Sequence, residues 1–222
     1  MSRKRMKVKA VIFDMDGVIT NTMPDHFRAW QKVLAEEGIN ATHEDIYSRE
    51  GQKGLQSVRE IFAEHGKPFH LKEARAILKK KEELFKKIVK IRFVRGARTL
   101  LRKLKRKNIE LALVTGTSRH ELHKILPHSI YRLFRISVTG SDVRCGKPHP
   151  EPYLKALKTL GVTARQTIVI ENAPFGIRSA KGAGIRCLAL ETSLSRRYLK
   201  GADAVFSSVK ELENQIHFSS HV

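Results

Sequence analysis

The chain has 222 residues, 41% of them hydrophobic and 29% charged, with a net charge of +21 from 43 Lys plus Arg against 22 Asp plus Glu. That length suits one domain, or a main domain carrying an insertion, and no apolar run approaches the ~18 residues that span a bilayer. Two cysteines, Cys145 and Cys187, exclude a disulfide scaffold and lack the spacing of a metal finger.

In chain order, a basic head (MSRKRMKVK) leads into a first apolar run, Val8–Phe13. Its apolar core is far shorter than the ~7–15 residues of a signal peptide, so the expectation is a cytoplasmic protein. A monomer is expected as well. The run ends in Asp14, Met15, Asp16 and Gly17. Aspartate is disfavoured at a strand mouth, and a side-chain period of two puts both carboxylates on one side of an extended segment. From Thr22 to about Ile91 the pattern turns helical: Asp25–Glu37, Leu55–His65 and Leu71–Lys90 carry apolar residues at three- and four-residue spacing. Thr42 with Asp45 forms a capping pattern.

Short apolar or β-branched runs return at Ile109–Val114, Ile136–Val138, Thr167–Ile170, Arg186–Leu190 and, weakly, Ala204–Phe206. Helical patterns at Gly96–Lys107, Ser118–Leu126, Pro150–Leu160 and Pro174–Gly182 separate most of them. This alternation predicts an α/β fold with a doubly wound parallel sheet. The expected layout is a core over 1–21 and 92–222 with a helical cap inserted over 22–91.

The positive surplus attracts polyanions, which raises a nucleic-acid role as one alternative. Its distribution argues against that. In LKKKEELFKKIVK (78–90) and LLRKLKRK (100–107) the basic residues sit mostly between periodic apolar positions, as solvated helix faces do, and aromatics make up only 7%.

Polar groups follow four of the runs: Asp14 and Asp16; Thr115, Gly116 and Thr117; Gly146, Lys147 and Pro148; and Glu171 with Asn172. Singly, each has an ordinary structural reading as a turn, an N-cap or a loop lysine. Together they suit phosphoryl transfer assisted by a hard cation, because in a parallel sheet ligands bind beyond the carboxyl ends of the strands. A P-loop reading of Gly140–Lys147 fails on spacing and on Pro148, where Ser or Thr should stand.

FDMDGV (13–18), VTGTS (114–118), GKPHPEPYLKAL (146–157) and VIENAPFGI (169–177), with MPDHFRAW (23–30) and REGQKG (49–54), resemble the haloacid dehalogenase superfamily, in its β-phosphoglucomutase-like branch. The resemblance implies that Asp14 is a nucleophile forming an aspartyl phosphate, with Asp16 as general acid and then base. It further implies that Thr115 donates to the phosphoryl oxygens and that Lys147 neutralises charge. Gly116, Thr117, His26 and Lys53 are carried as substrate- or phosphate-binding candidates. Mg2+ is implied against Asp14, the carbonyl of Asp16 and the loop Glu171-Asn172.

That loop departs from the commoner Glu-Asp and so lacks one negative charge. The Glu-Asn-Ala-Pro variant resembles a capped bacterial inorganic pyrophosphatase subgroup, by which Glu50 of the cap supplies the missing charge to the metal. The implied activity is hydrolysis of pyrophosphate or a small phosphorylated metabolite. A phosphosugar mutase is the alternative, weakened by Glu50 and Gly54 standing where the mutase has basic groups.

Overall fold

The computed structural model describes residues 4–220, so the first three residues of the basic head lie outside the described residues. The described residues form eight strands: β1 (Lys4–Val8), β2 (Ala10–Phe13), β3 (Glu110–Val114), β4 (Ile136–Val138), β5 (Thr167–Glu171), β6 (Arg186–Leu190), β7 (Ala204–Phe206) and β8 (Ile216–Ser220). The first four helices lie between β2 and β3: α1 (Met23–Glu36), α2 (His43–Tyr47), α3 (Gly54–Glu64) and α4 (Leu71–Ile88), followed by α5 (Ala97–Arg106). The others are α6 (Arg119–Ile125), α7 (His128–Tyr131), α8 (Glu151–Leu160), α9 (Pro174–Gly182) and α10 (Val209–Gln215).

The main sheet has six parallel strands in the order β4-β3-β2-β5-β6-β7. Alternation along each strand sorts its side chains between two cores, as a sheet covered on both faces requires. Val11, Phe13, Leu111, Leu113, Ile168 and Ile170 face one core with Leu100, Leu101 and Leu104 of α5. Ala10, Ile12, Ala112, Val114 and Val169 face the other, with Tyr153, Ala156 and Leu157 of α8 and Ile177 of α9.

The single strand expected over Val8–Phe13 is corrected. Lys4–Val8 forms β1, paired in parallel with β8 in a small second sheet, and only Ala10–Phe13 enters the main one. β8 lies outside the strands that the alternation predicts. The capping pattern at Thr42 is present as a reciprocal box with Asp45. No helix of the described residues is long and apolar enough to cross a membrane.

Helices α1–α4 enclose their own apolar cluster, including Trp30, Val33, Leu34, Ile46, Val58, Ile61 and Ile77. Ala29 and Phe85 instead join the core on the sheet. Fully buried Asp25 ties the two crossing segments together, accepting from the Lys90 N–H at 3.1 Å and Arg92 Nη2 at 3.0 Å.

Candidate active site

Register brings the first acids together. Phe13 is level with Leu113 on one side and Ile170 on the other, so the next row is Asp14, Val114 and Glu171. The Asp14 N–H donates to the Ile170 carbonyl at 3.0 Å. Gly17, at φ +80°, turns the chain away, and a Cβ there would lie 2.1 Å from Asn172 Nδ2. Only glycine fits both demands.

Lys147 is the cation of this row. Its ammonium donates to Asp14 Oδ1 at 2.5 Å, Glu171 Oε1 at 2.6 Å and the Val114 carbonyl at 3.3 Å. Burial works against its charge, but Asp14 and Glu171 outweigh that and hold it protonated. Gly51 of the segment before α3 lies over it, since a Cβ there would come within 2.7 Å of Lys147 Cδ. Both Glu171 oxygens are taken: Oε1 also accepts from the Tyr153 hydroxyl at 3.0 Å, and Oε2 accepts the N–H groups of Asn172 and Ala173.

The two aspartates are pushed in opposite directions. Burial drives Asp14 up to about 8; Glu171 and Asp16 add to this and Lys147 opposes it. Burial also acts against the Asp16 anion, but contacts from His26 and Thr22 and the charge of Lys81 carry it below the usual range. Asp16 Oδ1 accepts from Thr22 and, at 3.4 Å, from Thr20, with His26 Nε2 at 3.7 Å; Oδ2 accepts from Thr117 at 3.3 Å. Opposite shifts in neighbouring acids are the pattern expected where two carboxylates take different roles.

His26 stacks on Phe85 at 3.9 Å, and Lys81 Nζ lies 3.0 Å from its Nδ1. A lysine donating to Nδ1 leaves the ring proton on Nε2, the atom facing Asp16. Burial and Lys81 lower the His26 pKa, and burial lowers that of Lys81. Lys81 corrects the reading of 78–90 as a solvated basic face, because it is buried among Trp30, Phe85 and His26. The signal was its position: Ala74, Ile77, Lys81 and Phe85 share the buried stripe of α4.

A cavity of about 280 Å³ opens between α1–α4 and the strand ends. Asp14, Asp16, His26, Glu50, Lys53, Gly116 and Thr117 line it. Thr115, Lys147, Glu171 and Asn172 are buried beside those lining residues. Thr115 Oγ1 accepts from the Thr117 N–H at 3.1 Å, which leaves its own proton to donate. Lys53 does not stand free in the cavity, because its ammonium binds the carbonyls of Val143 and Arg144 at 2.6 and 2.7 Å.

Glu50 reaches across to the strand ends, where its Oε2 accepts from Asn172 Nδ2 at 2.7 Å. Ser193 Oγ takes the same amide at 2.8 Å. At this site three buried oxygens have no hydrogen-bond partner among the described residues: Asp14 Oδ2, Glu50 Oε1 and Asn172 Oδ1. Such orphans are rare in folded proteins. Two carboxylates and an amide oxygen are the donor set of a hard divalent cation.

A family profile described as haloacid dehalogenase-like hydrolase matches residues 11–190. The chain is 33% identical over 183 residues to the phosphorylated carbohydrates phosphatase of Thermotoga maritima, covering 80% of this chain and 82% of that one. It is 29% identical over 213 residues to the β-phosphoglucomutase of Bacillus subtilis, over 92% of each chain. Among solved structures, CbbY from Rhodobacter sphaeroides in complex with xylulose-(1,5)bisphosphate matches with a TM-score of 0.74 at 27% identity, over 92% of this chain and 96% of its own. None of these three is named for pyrophosphate. With the motifs at four strand ends and a profile match over most of its length, the chain belongs to the haloacid dehalogenase-like hydrolase family, with phosphatases and β-phosphoglucomutase among its relatives.

Proposed function

We propose that the protein is a Mg2+-dependent phosphatase that moves the phosphoryl group of a small phosphorylated metabolite first to Asp14 and then to water. The observation that carries this reading is the state of Asp14: one oxygen held by Lys147 at 2.5 Å, the other buried without a partner. The orphaned oxygens of Asp14, Glu50 and Asn172 fit the cation, with the Asp16 carbonyl as a further ligand. When bound, Mg2+ supplies positive charge that favours ionised Asp14 and offsets charge on the phosphoryl oxygens.

An Asp14 carboxylate oxygen attacks phosphorus, and the bond to the leaving oxygen breaks as Asp16 hands that oxygen a proton. Asp16, then ionised, takes a proton from water as the water oxygen attacks the phosphorus, releasing phosphate and restoring Asp14. In the free site Asp16 favours its anion; the negative charge of a substrate phosphate nearby raises its proton affinity. Lys147 and the Thr115 hydroxyl meet the charge of the transferring group. Glu171 acts by fixing Lys147 and the backbone of the 172–173 turn. His26, oriented by Lys81, directs Asp16 toward the leaving group.

Phosphate release should be measured, with and without Mg2+, from p-nitrophenyl phosphate, hexose and polyol phosphates, pyrophosphate and β-glucose 1-phosphate. Mg2+-dependent release that is lost in Asp14→Asn supports the reading, and release that survives Asp14→Asn refutes it. The likeness to the Bacillus subtilis enzyme favours one second reading, a mutase, which would interconvert glucose phosphates on the same panel without releasing phosphate.

A further inference from the structure

We infer that the cavity wall formed by Glu82 and Glu121 is built for an uncharged, hydroxyl-rich leaving group and rejects a second phosphate, with Glu82 setting that preference. This rests on the phosphatase reading above and narrows its substrate class.

The chain carries a charge of +21, yet the cationic side chains lining the cavity are already engaged. Arg49 donates from Nη1 to the Asp45 carbonyl at 2.7 Å and pairs through Nη2 with Glu64, while its buried Nε lies 3.4 Å from Glu60 without a hydrogen bond. Lys53 is held by two loop carbonyls. Lys81 lies on His26 and over the rings of Trp30 and Phe85, at 5.3 and 5.0 Å. Arg119, beside the lining residue Ser118, binds Ser137 and Asp142 instead.

The acidic groups of the same region are less committed. Glu82 lines the cavity and makes no hydrogen bond or ion pair with a described residue. Burial, and Glu121 beside it, raise its pKa, against Lys81 and Lys86. Glu121 also lines the cavity, accepts from Ser118 Oγ at 3.1 Å and has only a 3.8 Å contact with Lys86. A carboxyl group with open acceptor sites is a good partner for hydroxyls. The ring of Trp30 with Met23, Ile61 and Leu78 offers apolar surface to the carbon face of the same molecule.

A second phosphate placed there would lie beside two carboxyl groups, with the lining Arg49, Lys53 and Lys81 tied elsewhere and Lys86, 3.8 Å from Glu121, already facing those acids. Like-charge juxtaposition of this kind rejects a ligand even where its shape fits. The related CbbY structure holds a bisphosphate; the tied cations and open Glu82 mark a different preference here. The positive surface draws phosphorylated molecules in, and the cavity wall selects among them.

The test compares kcat/KM for fructose 6-phosphate and fructose 1,6-bisphosphate, with p-nitrophenyl phosphate as a reference, in wild type, Glu82→Gln and Glu82→Lys. The wild type should favour the monophosphate by about tenfold or more, and Glu82→Lys should shrink that ratio by about tenfold by improving the bisphosphate. Glu82→Gln should shrink it in the same direction by less, and it carries the test if the lysine variant does not fold. Hydrolysis of p-nitrophenyl phosphate with no preference for the monophosphate overturns this inference alone, as does a ratio unmoved in a folded variant. A wild type that hydrolyses none of the three overturns the phosphatase reading and this inference with it.

Discussion

The Asn172 amide donates to the Glu50 carboxylate at 2.7 Å, joining positions 122 residues apart, and each group keeps one buried oxygen with no partner. The contact orients both oxygens while leaving them free, and it closes the α1–α4 region over the strand ends. Burial and the charge of Asp14 push the Glu50 pKa well above its ordinary value, with the Asn172 hydrogen bond opposing them. In our account, Glu50 supplies the charge that Asn172 lacks. Glu50→Gln should raise the Mg2+ concentration for half-maximal activity about tenfold. Adding Asn172→Asp to that variant should recover part of the loss. A Mg2+ titration of phosphate release checks both, and an unchanged requirement in Glu50→Gln removes it from the site.

The shift of Asp14 fixes the sign of a stability effect. Its carboxyl is pushed up to about 8 in the folded protein, above its unfolded value, so the folded state holds the proton more tightly. The contribution is present below the unfolded pKa and is lost as pH rises through about 8. In metal-free protein, Asp14→Asn should therefore melt progressively higher relative to wild type between about pH 5 and 8, with the difference levelling off above that. A Tm difference that stays flat over that range contradicts the shift.

Lys81 serves the proton transfer at Asp16 through His26, so its loss should depend on the leaving group. Lys81→Met should lower kcat by about a hundredfold for a sugar or polyol phosphate, whose leaving oxygen needs a proton. With p-nitrophenyl phosphate, whose leaving group departs as an anion, the loss should be much smaller. Equal losses on both substrates would show that Lys81 acts through packing alone.

Close approach of two backbones gives a further test. A Cβ on Gly116 would lie 2.6 Å from the Gly51 carbonyl oxygen, and backbone cannot yield as a flexible side-chain tip does. Gly116→Ala should keep the core fold but hold the 50–53 segment off the strand ends, cutting kcat/KM by about a hundredfold. Near-normal kcat/KM in this variant contradicts closure as a requirement.

Much of this arrangement was readable in the chain because strand ends are local events. An apolar run that stops at Asp14 or at Glu171 says where the sheet ends, and the parallel register does the rest. Helices α5, α6, α8 and α9 likewise announced themselves by caps and spacing, as Ser118 does by accepting from the Glu121 N–H, whereas α7 and α10 did not. What stayed hidden was non-local. β1 finds its partner in β8, with Lys4 opposite Ile216, and no short window contains both. Lys81 was hidden for another reason: its charge suggested solvent, while its place on the apolar stripe of α4 pointed inward. Lys53 shows the converse, a lysine in a promising glycine-rich segment whose ammonium is spent on carbonyls.

The most direct test of the central claim is a rapid acid quench of Asp16→Asn mixed with radiolabelled p-nitrophenyl phosphate and Mg2+. Asp16→Asn lacks the base for the water step, while the aryl leaving group departs without an acid, so label should accumulate on the protein and map to Asp14. Absence of protein-bound label, or label that persists when Asp14→Asn is added, would contradict Asp14 as the nucleophile.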